Sequence, residues 1–167
     1  MIFELTKNLY ALGGDSALRE ENLITFCILD FVKDGILVSG ENGRLAAQII
    51  YKKGNVEVAI ADGPSYTINS RYEISPVKVC EAEMGEISDA EKRRVDNNTY
   101  FCFGNPSLFR YDLFMETAGQ KPEVIAEVIP HPWKEENFKV RINENANVLK
   151  SLSFCLAYAF MTMKNRK

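Results

Sequence analysis

The sequence predicts a mostly β protein filled by one buried C-terminal α-helix. Three observations carry that expectation. Short apolar runs are separated by turn signals about every ten residues. Within several runs, apolar and charged residues alternate with the period of two that a half-buried strand requires. The one long greasy stretch, 148–163, is apolar all round when wound as a helix, so protein or lipid must surround it.

The strands follow in order. Asp34-Gly35 comes after Ile24–Val32, and Asn42-Gly43 separates Ile36–Ser39 from Leu45–Tyr51. Such Asx-Gly pairs accept positive φ and match the twist of a hairpin. Lys53-Gly54 precedes Val56–Ile60, and Asp62-Gly63-Pro64 precedes Tyr66–Ile68. Gly119 separates Phe109–Glu116 from Glu123–Ile129. Val56, Val58 and Ile60 oppose Glu57; Val124, Ala126 and Val128 oppose Glu123 and Glu127; Phe138, Val140 and Ile142 oppose Lys139 and Arg141. The expected architecture is an antiparallel meander closing into a barrel.

Two segments depart from this pattern. Residues 81–98 form a polar connection or insertion in which Ser88 and Glu91 stand in capping-box register, so a short extra helix is expected over Ser88–Val95. Residues 146–163 form the core helix, capped by Asn145 or Asn147. Val148–Met163 would be about 24 Å long, short of the ~30 Å of a bilayer core. It matches the about 20–26 Å of strands of six to eight residues, which could enclose it. Because Lys164, Arg166 and Lys167 follow, a protein anchored in a membrane through 148–163 is the alternative.

The chain has 167 residues, 46% apolar and 26% charged, which fits a single domain over 1–167. At this length roughly 70% of the extended surface can be buried without disulfide or metal. Its net charge of −3, from 20 basic and 23 acidic side chains, argues against nucleic-acid binding by charge. A single histidine, His131, leaves no multi-His metal centre, and no GxGxxG or GKS/T motif is present, so no metal or cofactor is expected. Cys27, Cys80, Cys102 and Cys155 form no CxxC, and three lie in apolar runs, as reduced core thiols do. Met1–Leu12 carries Glu4 and Lys7 within its apolar pattern and does not read as an export signal, so a cytoplasmic location, peripheral at the membrane if lipid is bound, is expected.

Leu9-Tyr10-Ala11-Leu12-Gly13-Gly14-Asp15, Ser39-Gly40-Glu41-Asn42-Gly43-Arg44-Leu45-Ala46, and Tyr100–Asn143 running into Val148–Met163 carry a resemblance in order and spacing. In these stretches the chain resembles the tubby C-terminal-like superfamily, which includes the LURP-one-related proteins, the phospholipid scramblases and small bacterial members. The resemblance implies a bent barrel of about 12 antiparallel strands around a central C-terminal helix, with no general catalytic set. Tubby proteins bind phosphoinositide headgroups through basic side chains. None of those positions is carried over to this chain.

Among chemically capable residues, His131 stands in Pro130-His131-Pro132-Trp133, where the prolines stiffen a loop and no local partner for catalysis appears. An enzyme using His131 or a carboxylate in a barrel mouth is a further alternative, and Trp133 is expected as a lid over a barrel end. Cys102 and Cys155 lie among aromatics, which disfavours a thiolate nucleophile. Glu81, Glu83 and Glu86 read as a solvated face, as do Lys92-Arg93-Arg94. Arg44, Lys52 and Lys53, at the ends of one predicted hairpin, and Arg71 are the candidate anion-binding residues. Charged residues at strand ends are also what any sheet rim displays. The expected function is a non-enzymatic binding or scaffolding module for an anionic phospholipid headgroup or another small anion, otherwise for a protein partner. A helix-filled interior sends any ligand to the outer wall or rim.

Overall fold

The computed structural model describes residues 1–12, 15–19, 25–40, 42–61, 63–77 and 98–166; for 11–12, 15–19 and 25–28 it describes the backbone alone. The expected helix at Ser88–Val95 therefore lies outside the described residues, together with Glu81, Glu83, Glu86 and Lys92-Arg93-Arg94.

The meander is present as two antiparallel sheets. The seven-stranded sheet runs in chain order through β2 (Asp15–Arg19), β3 (Thr25–Val32), β4 (Gly35–Gly40), β5 (Leu45–Lys52), β6 (Asn55–Ile60), β7 (Ser65–Ile68) and β8 (Ile74–Pro76). The five-stranded sheet has the order β1 (Ile2–Thr6), β12 (Asn137–Ile142), β11 (Glu123–Pro130), β10 (Arg110–Thr117) and β9 (Asn98–Asn105). The expected single closed barrel is thus resolved into two sheets. β1 runs near β2 and β8 near β9, but among the described residues no ladder joins the sheets. β8 is three residues long and ends at Pro76, which has no amide N–H to extend a ladder.

The turns follow the sequence chemistry. Lys53 (φ 52°) and Gly54 (φ 84°) both take the left-handed conformation, and Lys52 pairs with Asn55 across them. This is the two-residue hairpin geometry that matches strand twist. One alternation is interrupted. Ala126 pairs with Leu113 while Val124 pairs with Phe114, so Ile125 is an extra, buried residue in a bulge, and Val124, Ala126 and Val128 do not share one uninterrupted face. Phe138, Val140 and Ile142 are buried as expected.

The helix α1 (Val148–Asn165) starts at Asn147, whose side-chain oxygen accepts a 3.1 Å bond from the Lys150 amide. Every residue from Ser151 to Thr162 is buried. β5, β6 and β7 pack on α1 from one sheet and β11 and β12 from the other. The greasy helix is therefore protein-surrounded, and among the described residues no helix is long and apolar enough to cross a membrane. Its polar atoms are satisfied inside. Ser153 Oγ donates to the Leu149 carbonyl at 2.6 Å, and Thr162 Oγ1 donates to that of Tyr158 at 2.9 Å. Tyr158 OH donates to the Tyr72 carbonyl at 3.1 Å. Tyr66, Tyr100 and Phe154 form a tilted and edge-on aromatic cluster near the start of α1.

Candidate functional site

Five turns converge on the last residues of α1. Lys164 Nζ donates to Asp34 Oδ1 in the β3–β4 turn at 2.9 Å, and this hydrogen bond to Asp34 holds the lysine pKa above its ordinary value. The Lys52–Asn55 hairpin is adjacent, because the Tyr51 amide donates to the Asp34 carbonyl at 2.8 Å and Lys164 stands 4.9 Å from the Tyr51 ring centroid. Asn165 Nδ2 donates to the Ser70 carbonyl in the β7–β8 turn at 3.3 Å. Arg166 donates to the Ser107 carbonyl at 3.4 Å, in the 3-10 turn Pro106–Leu108 between β9 and β10. The 131–136 loop between β11 and β12 closes the ring, with Glu135 and Glu136 lining an open hollow of about 720 Å³ against Met163 and Arg166.

The first three turns make a basic rim. Lys33, Lys52, Lys53 and Arg71 are exposed, and none of them forms an ion pair among the described residues. Asp34 and Glu73 are the carboxylates in these turns, and Asp34 is engaged by Lys164. Cations at this end also face the negative end of the helix dipole.

Of the four residues expected to bind an anion, Lys52, Lys53 and Arg71 lie on this rim. β6 links them: Asn55 pairs with Lys52, and Val56 pairs with Ile68, which leads into the Arg71 turn. Arg44 does not join them. It precedes β5, whereas Lys52 ends it, so the two are about 26 Å apart along the strand. Arg44 stands near the start of α1, where its amide donates to Asn42 Oδ1 and Gly40 approaches Leu149. Lys33 and Lys164 also belong to the rim, although neither is among the residues expected to bind an anion. The Lys33 signal was available, as a cation in a turn at the same strand end.

His131 is a turn-holding residue. Its Nδ1 accepts the amides of Trp133 (3.1 Å) and Lys134 (3.0 Å), which leaves the proton on Nε2, 3.3 Å from Glu4 Oε1. The basic lone pair on Nδ1 and the Nε2 proton are thus both engaged in holding the turn. Trp133 is not a lid: its residue is 87% exposed, because the turn directs the side chain away from the core.

The described thiols, Cys102 and Cys155, are unsuited to nucleophilic chemistry. Burial pushes the Cys155 thiol up to about 12, and burial raises that of Cys102 as well. Among the described residues no group of histidine, cysteine and carboxylate side chains is placed to hold a metal.

No family model, curated protein or solved structure matches the chain.

Proposed function

We propose that the protein is a non-enzymatic binding module that takes an anionic, phosphate-like group on the rim formed by Lys33, Lys52, Lys53 and Arg71. The observation that carries this reading is the convergence of three hairpin turns with exposed cations on the end of α1, whose residues Ser151 to Thr162 are buried between the two sheets. Lysine and arginine together supply point charge and a planar fork for phosphate oxygens. A lipid headgroup and a free phosphate present the same chemistry here. The reading takes the two sheets as halves of a tubby-like barrel around α1, with the β1–β2 and β8–β9 approaches as its seams, and places the protein in the cytoplasm.

The test is sedimentation with vesicles of phosphatidylserine and phosphatidylcholine, beside a titration with inorganic phosphate. Each basic side chain near an anionic surface contributes about 1 kcal/mol. The combined change Lys52→Ala, Lys53→Ala, Arg71→Ala is therefore expected to weaken vesicle binding by about 100-fold, with melting unchanged. Equal binding by the variant removes these residues from the site. Failure of the parent protein to bind either anion source removes the reading.

A further inference from the structure

The rim that carries the cations shares its end of the molecule with two large apolar side chains that the core does not take up. Trp133 is 87% exposed at the tip of the 131–136 loop, and Leu108 is 62% exposed in the Pro106–Leu108 turn. Both segments border the end of α1, one across the hollow that Glu135 and Glu136 line with Met163 and Arg166, the other through the Arg166–Ser107 bond. We propose that this end of the protein is a membrane-facing surface, on which Trp133 and Leu108 enter the headgroup region of an anionic bilayer while the basic turns engage its phosphates. The inference rests on the anion-binding reading above and commits it to lipid.

Two features support a bilayer as the occupant. The first is chemical: indole has an apolar body and one N–H donor, which suits it to the boundary between acyl chains and headgroups. The second is rigidity. The Trp133 and Lys134 amides are both held by His131 Nδ1, and Pro132 restricts the backbone between His131 and Trp133. The Leu108 turn is similarly set. Asn105 Oδ1 accepts from the Ser107 amide at 3.1 Å, and Thr162 Oγ1 lies 3.4 Å from the Pro106 carbonyl. Both tips are held in place before contact, so little chain entropy is lost on insertion.

Charge divides across this end. The side nearer Lys33, Lys52, Lys53 and Arg71 attracts an anionic surface. The Trp133 side is mixed, with Glu135 and Glu136 beside Lys7, Lys134 and Arg166. Electrostatic attraction therefore acts mainly through the turns of the seven-stranded sheet, and apolar insertion through those of the five-stranded sheet. The two contributions are separable by mutation.

Trp133 is the single tryptophan of the chain, so its emission reports this loop alone. Vesicles of phosphatidylserine and phosphatidylcholine are expected to shift that emission to shorter wavelength, and lipids brominated near the headgroup end of the chain are expected to quench it. Phosphatidylcholine vesicles alone should do neither. Trp133→Ala should weaken sedimentation with the anionic vesicles by about tenfold, and Leu108→Ser by less, with parental melting in both. Sedimentation with unchanged Trp133 emission would overturn the proposed orientation and leave the anion-binding reading standing. No sedimentation would overturn the membrane surface, and the inorganic phosphate titration then decides whether the anion reading falls with it. Sedimentation unaffected by Trp133→Ala likewise counts against insertion.

Discussion

The two ends of α1 face different chemistry. At the start, Asn147 caps the helix and Lys150 lies over the Tyr100 and Tyr66 rings, 4.9 and 5.4 Å from their centroids. Asn143, Asn147 and Ser151 line a small hollow of about 80 Å³ there. At the finish, exposed basic turns gather around Lys164 and Arg166. The difference shows that a chain with net charge −3 can carry a locally basic end, because hairpin turns at one edge of a sheet all project the same way. A candidate site read from net charge alone would have been missed.

The largest expected effect concerns the rod that holds both ends in place. Leu156 is fully buried at mid-helix. Leu156→Ala should cost about 2–5 kcal/mol in denaturant unfolding. Leu156→Lys should prevent folding, since no partner awaits an interior charge. Near-parental melting of the lysine variant would mean that α1 is not enclosed, and the comparison of its ends would lose its basis.

Charge reversal sharpens the comparison directly. Lys53→Glu changes the local charge by two at a turn tip of the basic end, which at about 1 kcal/mol per charge predicts roughly 30-fold weaker binding to anionic vesicles. Arg44→Glu makes the same chemical change at the opposite end and should alter binding by less than about twofold. Similar losses in the two variants would show that long-range charge, and not the rim, governs association. Raising the salt concentration should weaken the parent more than the Lys53→Glu variant.

The capped end has its own test. Asn147→Ala removes the acceptor for the Lys150 amide and should cost about 1 kcal/mol of stability. Asn147→Asp should retain the cap, because a carboxylate accepts the same bond and faces the positive end of the helix dipole. Neither change should affect vesicle binding at the other end. Equal stability of the alanine and aspartate variants would show that the cap contributes nothing measurable.

Much of this was legible in the sequence for local reasons. Asp34 (φ 54°) and Gly43 (φ 76°) supply the positive φ expected of the two Asx-Gly pairs, and the all-round apolar character of 148–163 foretold an enclosed helix. Asn147 proved to be the cap, one of the two candidates. The Ile125 bulge was not legible, since an extra residue leaves the alternation on either side intact and is fixed by pairing with β10. Lys52, Lys53 and Arg71 were legible as cations near strand ends. Strand length then separated Arg44 from Lys52, a distinction that grouping by sequence proximity obscured. Lys164 was read as a flank of the helix, whereas its contact with Asp34, far away in sequence, ties the rim to α1.

The smallest expected effect tests how the exposed loop of the basic end is held. Glu4 accepts from Asn137 Nδ2 at 3.0 Å and lies 3.4 Å from Lys134 Nζ and 3.3 Å from His131 Nε2. The Asn137 hydrogen bond is the main cause that holds its carboxyl below the usual value of 4.5, against the opposing effect of burial. A carboxyl lowered on folding stabilises above its unfolded value, and that contribution is lost as pH falls through the folded one. The parent should therefore melt above Glu4→Gln at neutral pH, and the gap should close below pH 4.5 as Glu4 is protonated. The start of α1, held by Asn147 and without this carboxylate, should show no matching change: the penalty of Asn147→Ala should be the same at both pH values. A Glu4→Gln gap that stays constant on acidification would show that Glu4 acts by shape alone, and that its charge does not help fix the turn under Trp133.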